Sequence, residues 1–171
     1  MELDSYSPYE IKKETIGNYY QFTTKHGSIY RAYFIPHLAD NIENYNCTGI
    51  LEFGFEKIDE LKTTFDPQIA CTITNLLSDI FDSIPFHVII FKCYNGDNKS
   101  KARNRLFSIW FNKYAKHFFS KIDRQIEFNE DTFYFSCIHS TSCSKGHIET
   151  LINSNISELI SHKNSASEEN A

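Results

Sequence analysis

The run FHVIIFKCY at residues 86–94 restricts the fold more than any other stretch. It is almost unbroken in apolar residues, which suits a strand in the interior of a sheet with both faces covered. Such a strand needs packing partners above and below, so helices are expected on both faces of the sheet.

The surrounding patterns supply the other elements. Residues 19–35 read as a hairpin, YYQFTT then SIYRAYFI, turning at Lys25-His26-Gly27, where Gly27 can take a positive φ. Pro36 ends its second strand. In TGILEFGFE (48–56), Leu51, Phe53 and Phe55 face one way and Glu52, Gly54 and Glu56 the other. Asp66-Pro67 then starts a helix, with Asp as cap and Pro in the first turn, and Ile69, Ile73, Leu76, Leu77 and Ile80 follow at helical spacing. After the central run a second helix is expected over 100–118, a second hairpin over QIEF and TFYFSCIH, and a third helix from about His147.

The order ββ, β, α, β, α, ββ, α predicts an α+β fold. Its sheet is mixed and mainly antiparallel, with one parallel crossover between the strands at 48–56 and 86–94. At 171 residues the chain fits one domain: an irregular segment 1–17, a domain at 18–162 and a disordered tail at 163–171.

Composition narrows the function classes. Hydrophobic residues make up 41% and aromatics 15%, as in a folded domain. A net charge of −5 lacks the overall basic footprint of a dedicated nucleic-acid binder, so any such contact needs a local patch. The opening MELDSYSPYEIKKE carries no secretory signal pattern, and no apolar run is long enough to span a bilayer. A soluble, cytoplasmic protein without membrane contact is expected. The five cysteines, odd in number and mostly inside predicted elements, fit reduced thiols better than a disulfide framework. On that expectation the glycosylation triplet Asn46-Cys47-Thr48 has no role.

The element order over residues 19–140 resembles the GCN5-related N-acetyltransferase (GNAT) fold without its first strand and helices. The resemblance implies that the helix beginning at Asp66-Pro67 stands where coenzyme A pyrophosphate is received. It implies that Asn98, Ala102, Phe107 and Tyr114 echo the pattern of the following helix. Acetyl-coenzyme A is the cofactor this implies. The stretch TTFDPQIAC departs from the Gln/Arg-x-x-Gly-x-Gly/Ala signature: it has no glycine, Asp66 puts a carboxylate where phosphates would sit, and Pro67 removes an amide donor. FDPQIACTITNLL followed by KARNRLFSIWF also resembles a group of small, uncharacterised bacterial proteins, a domain-of-unknown-function family.

Four constellations bear on chemistry. Lys99, Lys101 and Arg103 stand beside NGDN, whose Gly96 permits a nest of amides, and form a candidate anion or cofactor-binding site. Cations at a helix N-terminus oppose the dipole, a local conflict of the kind that sometimes marks function. Arg105, Phe107, Phe111 and Tyr114 continue the helix as a candidate interaction surface for a protein partner, a second copy, or stacked bases. Glu52 and Glu56 are candidate general bases, though such residues are usually the solvent side of a half-buried strand. Cys137, His139, Cys143 and His147 have ligand chemistry suited to zinc, in a spacing unlike the known structural motifs.

No intact cofactor loop, no nucleophile motif and an excess of aromatic surface on the 100–118 helix favour a non-enzymatic binding or assembly protein without a cofactor. The alternatives are an acyl-coenzyme A-dependent N-acyltransferase with an atypical cofactor loop, and a nucleic-acid-binding regulator using the basic start of that helix.

Overall fold

The computed structural model describes residues 6–15, 19–37, 49–62, 65–84, 87–93, 98–128 and 131–168. The sequon at 46–48, Gly96 and the turn at 129–130 lie outside the described residues. The central run forms strand β5 (His87–Cys93), with Val88, Ile89, Ile90 and Phe91 all buried. Around it the strands are β1 (Lys12–Lys13), β2 (Tyr19–Thr23), β3 (Ile29–His37), β4 (Gly49–Lys57), β6 (Phe119–Phe128) and β7 (Asp131–Ser140). The helices are α1 (Pro67–Ser83), α2 (Ser100–Tyr114) and α3 (Lys145–Glu168).

The strands make one seven-stranded sheet in the order β1-β2-β3-β4-β5-β7-β6. Among the described pairs only β4 and β5 run parallel, joined through α1. The fold is therefore α+β with a mixed, mainly antiparallel sheet, as the element order predicts. The β4–β5 pairing covers Gly49↔His87 to Glu52↔Ile90, so the later parts of both strands are not paired with each other.

Alternation along β4 and β5 sends side chains into two layers. Leu51, Phe53, Ile89, Phe91 and Cys93 face α1 and α2, in a core that takes in Ile69, Ile73 and Leu76 of α1. Ile50, Val88 and Ile90 face the other way, onto Ile148, Leu151 and Ile152 of α3. Helices thus cover both faces of the sheet, which is what the apolar run requires.

Local signals account for the ends of α1. The Asp66 carboxylate accepts the Gln68 amide at 3.0 Å and Pro67 sits in the first turn. The Ile84 amide closes the last turn on the Ile80 carbonyl. Gly27 has φ +82° in the β2–β3 hairpin, the conformation its turn demands.

Three boundaries differ from the sequence patterns. The N-terminal segment contributes β1, two lysines paired to β2. Strand β6 starts at Phe119, six residues before QIEF, so α2 ends at Tyr114. Helix α3 reaches Glu168 and takes in much of the segment expected as a tail. Among the described residues no helix is long and apolar enough to cross a membrane.

Candidate functional site

Helices α1 and α2 share one face of the sheet, and between their C-terminal halves lies a cavity of about 350 Å³. Phe53, Ile89, Phe91 and Ile138 form its floor on β4, β5 and β7. Phe107, Trp110, Phe111 and Tyr114 form the α2 wall. Thr74, Leu77, Ser78, Phe81 and Asp82 form the α1 wall, and Phe118 and Phe119 stand at the end.

The local sequence explains the void. Thr74 and Ser78, one turn apart on α1, present short side chains to α2. Opposite them, Phe107 meets Trp110 at 80° and 5.4 Å, and Phe53 at 86° and 6.1 Å. Edge-on aromatic contacts of this kind hold rings upright and apart. At Thr74 and Ser78 the α1 wall is short, and with rings fixed on the α2 wall opposite, space is left there that neither fills. An apolar lining of this size is the usual form of a small-molecule site. Asp82 is the one charged side chain among the described lining residues.

The basic start of α2 is spread out. Lys101 and Arg105 are exposed, Arg103 is half-buried, and Lys99 is the cap residue, making no side-chain capping bond. Asn98 before it has φ +57°, a left-handed conformation that Asn tolerates. Lys99 with Arg103 and Lys101 with Arg105 therefore form two pairs on different sides of the helix. Of the candidate interaction residues, Arg105 is exposed, whereas Phe107, Phe111 and Tyr114 are half-buried in the cavity wall. The exposed apolar surface of this helix lies elsewhere, at Leu106, 41% exposed, and Ile109, 52% exposed.

The two glutamates have separate settings. Glu52 points away from the cavity, on the α3 side. Its Oε2 accepts from Lys92 Nζ at 2.7 Å and meets His37 Nε2 at 2.9 Å. This cluster stands where β4 and β5 stop pairing. Glu56 pairs loosely with Arg31 at 3.7 Å beside Tyr19 and Tyr33, in a shallow hollow on the same side. Burial raises the Tyr33 hydroxyl pKa above its ordinary value, and both glutamates add to the effect.

The cysteine–histidine group does not converge. Cys137 and His139 are buried on the α3 side of β7, and Cys143 is buried in the turn before α3. His147 is exposed. His139 Nδ1 meets the Ser140 carbonyl at 2.8 Å. Among the described residues no three His, Cys, Asp or Glu side chains are grouped to hold a metal. Cys93 points to the opposite face from His139 and pairs with Tyr134, at the far end of the β5–β7 ladder. Its thiol is pushed up to about 11 by burial, with Arg103 and Lys121 only partly offsetting this.

The α1 N-terminus is closed. Asp66 is 8% exposed, and its second oxygen accepts the Tyr9 hydroxyl at 2.7 Å. The Tyr9 amide donates to Thr72 Oγ1 at 2.8 Å, and Gln68 Nε2 donates to the Ser7 carbonyl at 3.0 Å. The arm before β1 therefore lies along the first turns of α1.

Sequence patterns did not reveal the α1 wall of the cavity or a polar network beneath α2. Lys121, whose side chain is 5% exposed, bonds Ser108 Oγ at 3.0 Å and pairs with Asp123. Ser136 sits between Asp123 and Asn104. These contacts tie α2 to β6 and β7. The signal for the cavity wall was the spacing of Thr74 and Ser78 beside the apolar stripe of α1.

Residues 65–151 match the model of a family of unknown function, DUF6169, and the chain belongs to that family. The match runs from the α1 cap through α2 and the second hairpin to the first turns of α3, and includes all of the cavity walls. No curated protein matches the chain. No solved structure matches it either.

Proposed function

We propose that this member of the DUF6169 family is a non-enzymatic binding protein whose working site is the cavity between α1 and α2. The observation that carries this is the cavity itself: about 350 Å³, walled by aromatic rings on α2 and by Thr74, Leu77, Ser78 and Phe81 on α1. The lining favours binding over catalysis, because it is mostly hydrocarbon and aromatic, with Thr74, Asn75, Ser78, Tyr114 and the Asp82 carboxylate as its polar groups. Leu106 and Ile109 on the outer side of α2 support a protein partner or a second copy as a further contact.

The test uses tert-butylbenzene, a neutral hydrocarbon. A ligand that binds only the folded chain raises its melting temperature by mass action. The expected result is a saturable rise for the native chain and none for Ala115→Phe, which places a ring in the cavity. No rise for the native chain would overturn the proposal.

A second function, acyl-coenzyme A-dependent N-acyl transfer on a GNAT-like fold, draws support from one feature. Glu52, the candidate base, sits at the parting of β4 and β5. Lys92 and His37 hold its carboxylate there. Against it stands the α1 N-terminus, where Asp66 and Tyr9 occupy the place of the implied phosphates. Calorimetric titration with acetyl-coenzyme A and coenzyme A separates the two: micromolar saturable heat favours transfer, and silence at millimolar ligand favours the cavity.

A further inference from the structure

We infer that the cavity selects an organic cation: a small ligand with an aromatic or compact apolar body and an ammonium head directed at Asp82. This rests on the cavity being a ligand site, and adds the ligand's charge and orientation.

Three observations set the sign of that charge. Asp82 is the one charged side chain among the described lining residues, and it makes no ion pair with any other described residue. The cavity also lies at the C-terminal halves of both helices, with Asp82 in the last turn of α1 and Tyr114 and Ala115 at the end of α2. Helix C-termini carry partial negative charge from their last carbonyls, so both dipoles favour a cation here and disfavour an anion. Third, the α2 wall is aromatic, and a cation placed over such faces is held by the ring quadrupoles, most strongly by Trp. Trp110, Phe107 and Phe111 supply these faces from α2.

The nearby basic residues lie off the lining: buried Lys121, with its ammonium 5.6 Å from the centre of the Phe91 floor ring, is paired with Asp123. Lys113 and Lys116 are exposed and lie off the lining. Lys113 turns its ammonium to 5.5 Å from the centre of the Tyr114 ring.

The geometry also sets the order of the ligand. Its apolar part meets the floor of Phe53, Phe91 and Ile138, and its head lies toward the exposed Asp82 at the rim. That arrangement keeps the charge partly hydrated while the body is dry, which lowers the desolvation cost of binding a cation.

The test compares two ligands of the same shape, phenyltrimethylammonium and tert-butylbenzene, which differ only in the charge at the branching atom. Trp110 is the only tryptophan of the chain and lines the cavity, so its emission reports occupancy. Melting temperature provides a second readout. The expected result is saturable binding of both ligands. Asp82→Asn then weakens the cation about tenfold and the hydrocarbon by less than about twofold. Binding of the hydrocarbon alone would overturn the inference and leave the cavity as a neutral-ligand site. Binding of both with no effect of Asp82→Asn would also overturn it. If neither ligand moves the emission or the melting temperature, the ligand site itself falls.

Discussion

The two faces of the sheet are built from different residues. Beneath α3 the core is mainly aliphatic: Ile50, Val88, Ile90, Ile148, Leu151 and Ile152 are all buried, and Phe133 and Phe135 of β7 complete it. Beneath α1 and α2 it is aromatic, with Phe53, Phe91, Phe107 and Trp110 meeting edge-on or tilted. Branched aliphatic side chains interdigitate and close their gaps. Rings held upright by their neighbours do not, and a cavity remains on the aromatic side only where α1 offers Thr74 and Ser78. One sheet thus carries a packed layer beneath α3 and, on its other face, a layer with a cavity between α1 and α2.

The largest test of this contrast is Ile148→Ala in the packed layer. Ile148 is fully buried, so its loss should cost about 2–5 kcal/mol in denaturant unfolding. Phe111→Ala beside the cavity should cost less, about 1–2 kcal/mol, because the ring is half-buried and borders space already empty. It should also weaken hydrocarbon binding, which Ile148→Ala should leave intact at temperatures where the variant is folded. Equal costs for the two substitutions would break the comparison.

A smaller effect is expected from pH. Burial lowers the His87 pKa below its ordinary 6.5, and its ring packs over Gly49, where a Cβ would lie 2.6 Å from Nε2. The folded state therefore binds the proton less readily than the unfolded chain. Its stabilising contribution is complete above pH 6.5 and is lost as pH falls through the depressed folded value. Melting temperatures between pH 7.5 and 5.5 should fall for the native chain, and His87→Gln should flatten that slope. The smallest effect belongs to Asp82→Asn, which should change stability by no more than about 0.5 kcal/mol, since Asp82 is exposed and unpaired among the described residues.

The packed layer was the more legible in the sequence. The run at 86–94 announced a strand covered twice, and Ile148, Leu151 and Ile152 announced the helix that covers it. The layer with the cavity was legible in its residue types, since α2 reads as broadly apolar, but not in its shape. A void depends on how far two helices stand apart, which no periodicity records. The start of β6 was hidden for a different reason. Lys121 and Asp123 interrupt the apolar alternation on the inward face, and only their pairing beneath α2 makes a strand acceptable there. Strand β1, two lysines long, has no pattern to read.

The most direct test of the contrast is a crystal of the native chain under xenon pressure, because xenon enters dry apolar space without needing polar partners. The expected result is a xenon peak between α1 and α2, against Phe53, Phe107 and Trp110, and none beneath α3. A filled α1–α2 interface with no peak, or a peak among Ile50, Ile90 and Ile152, would contradict the account.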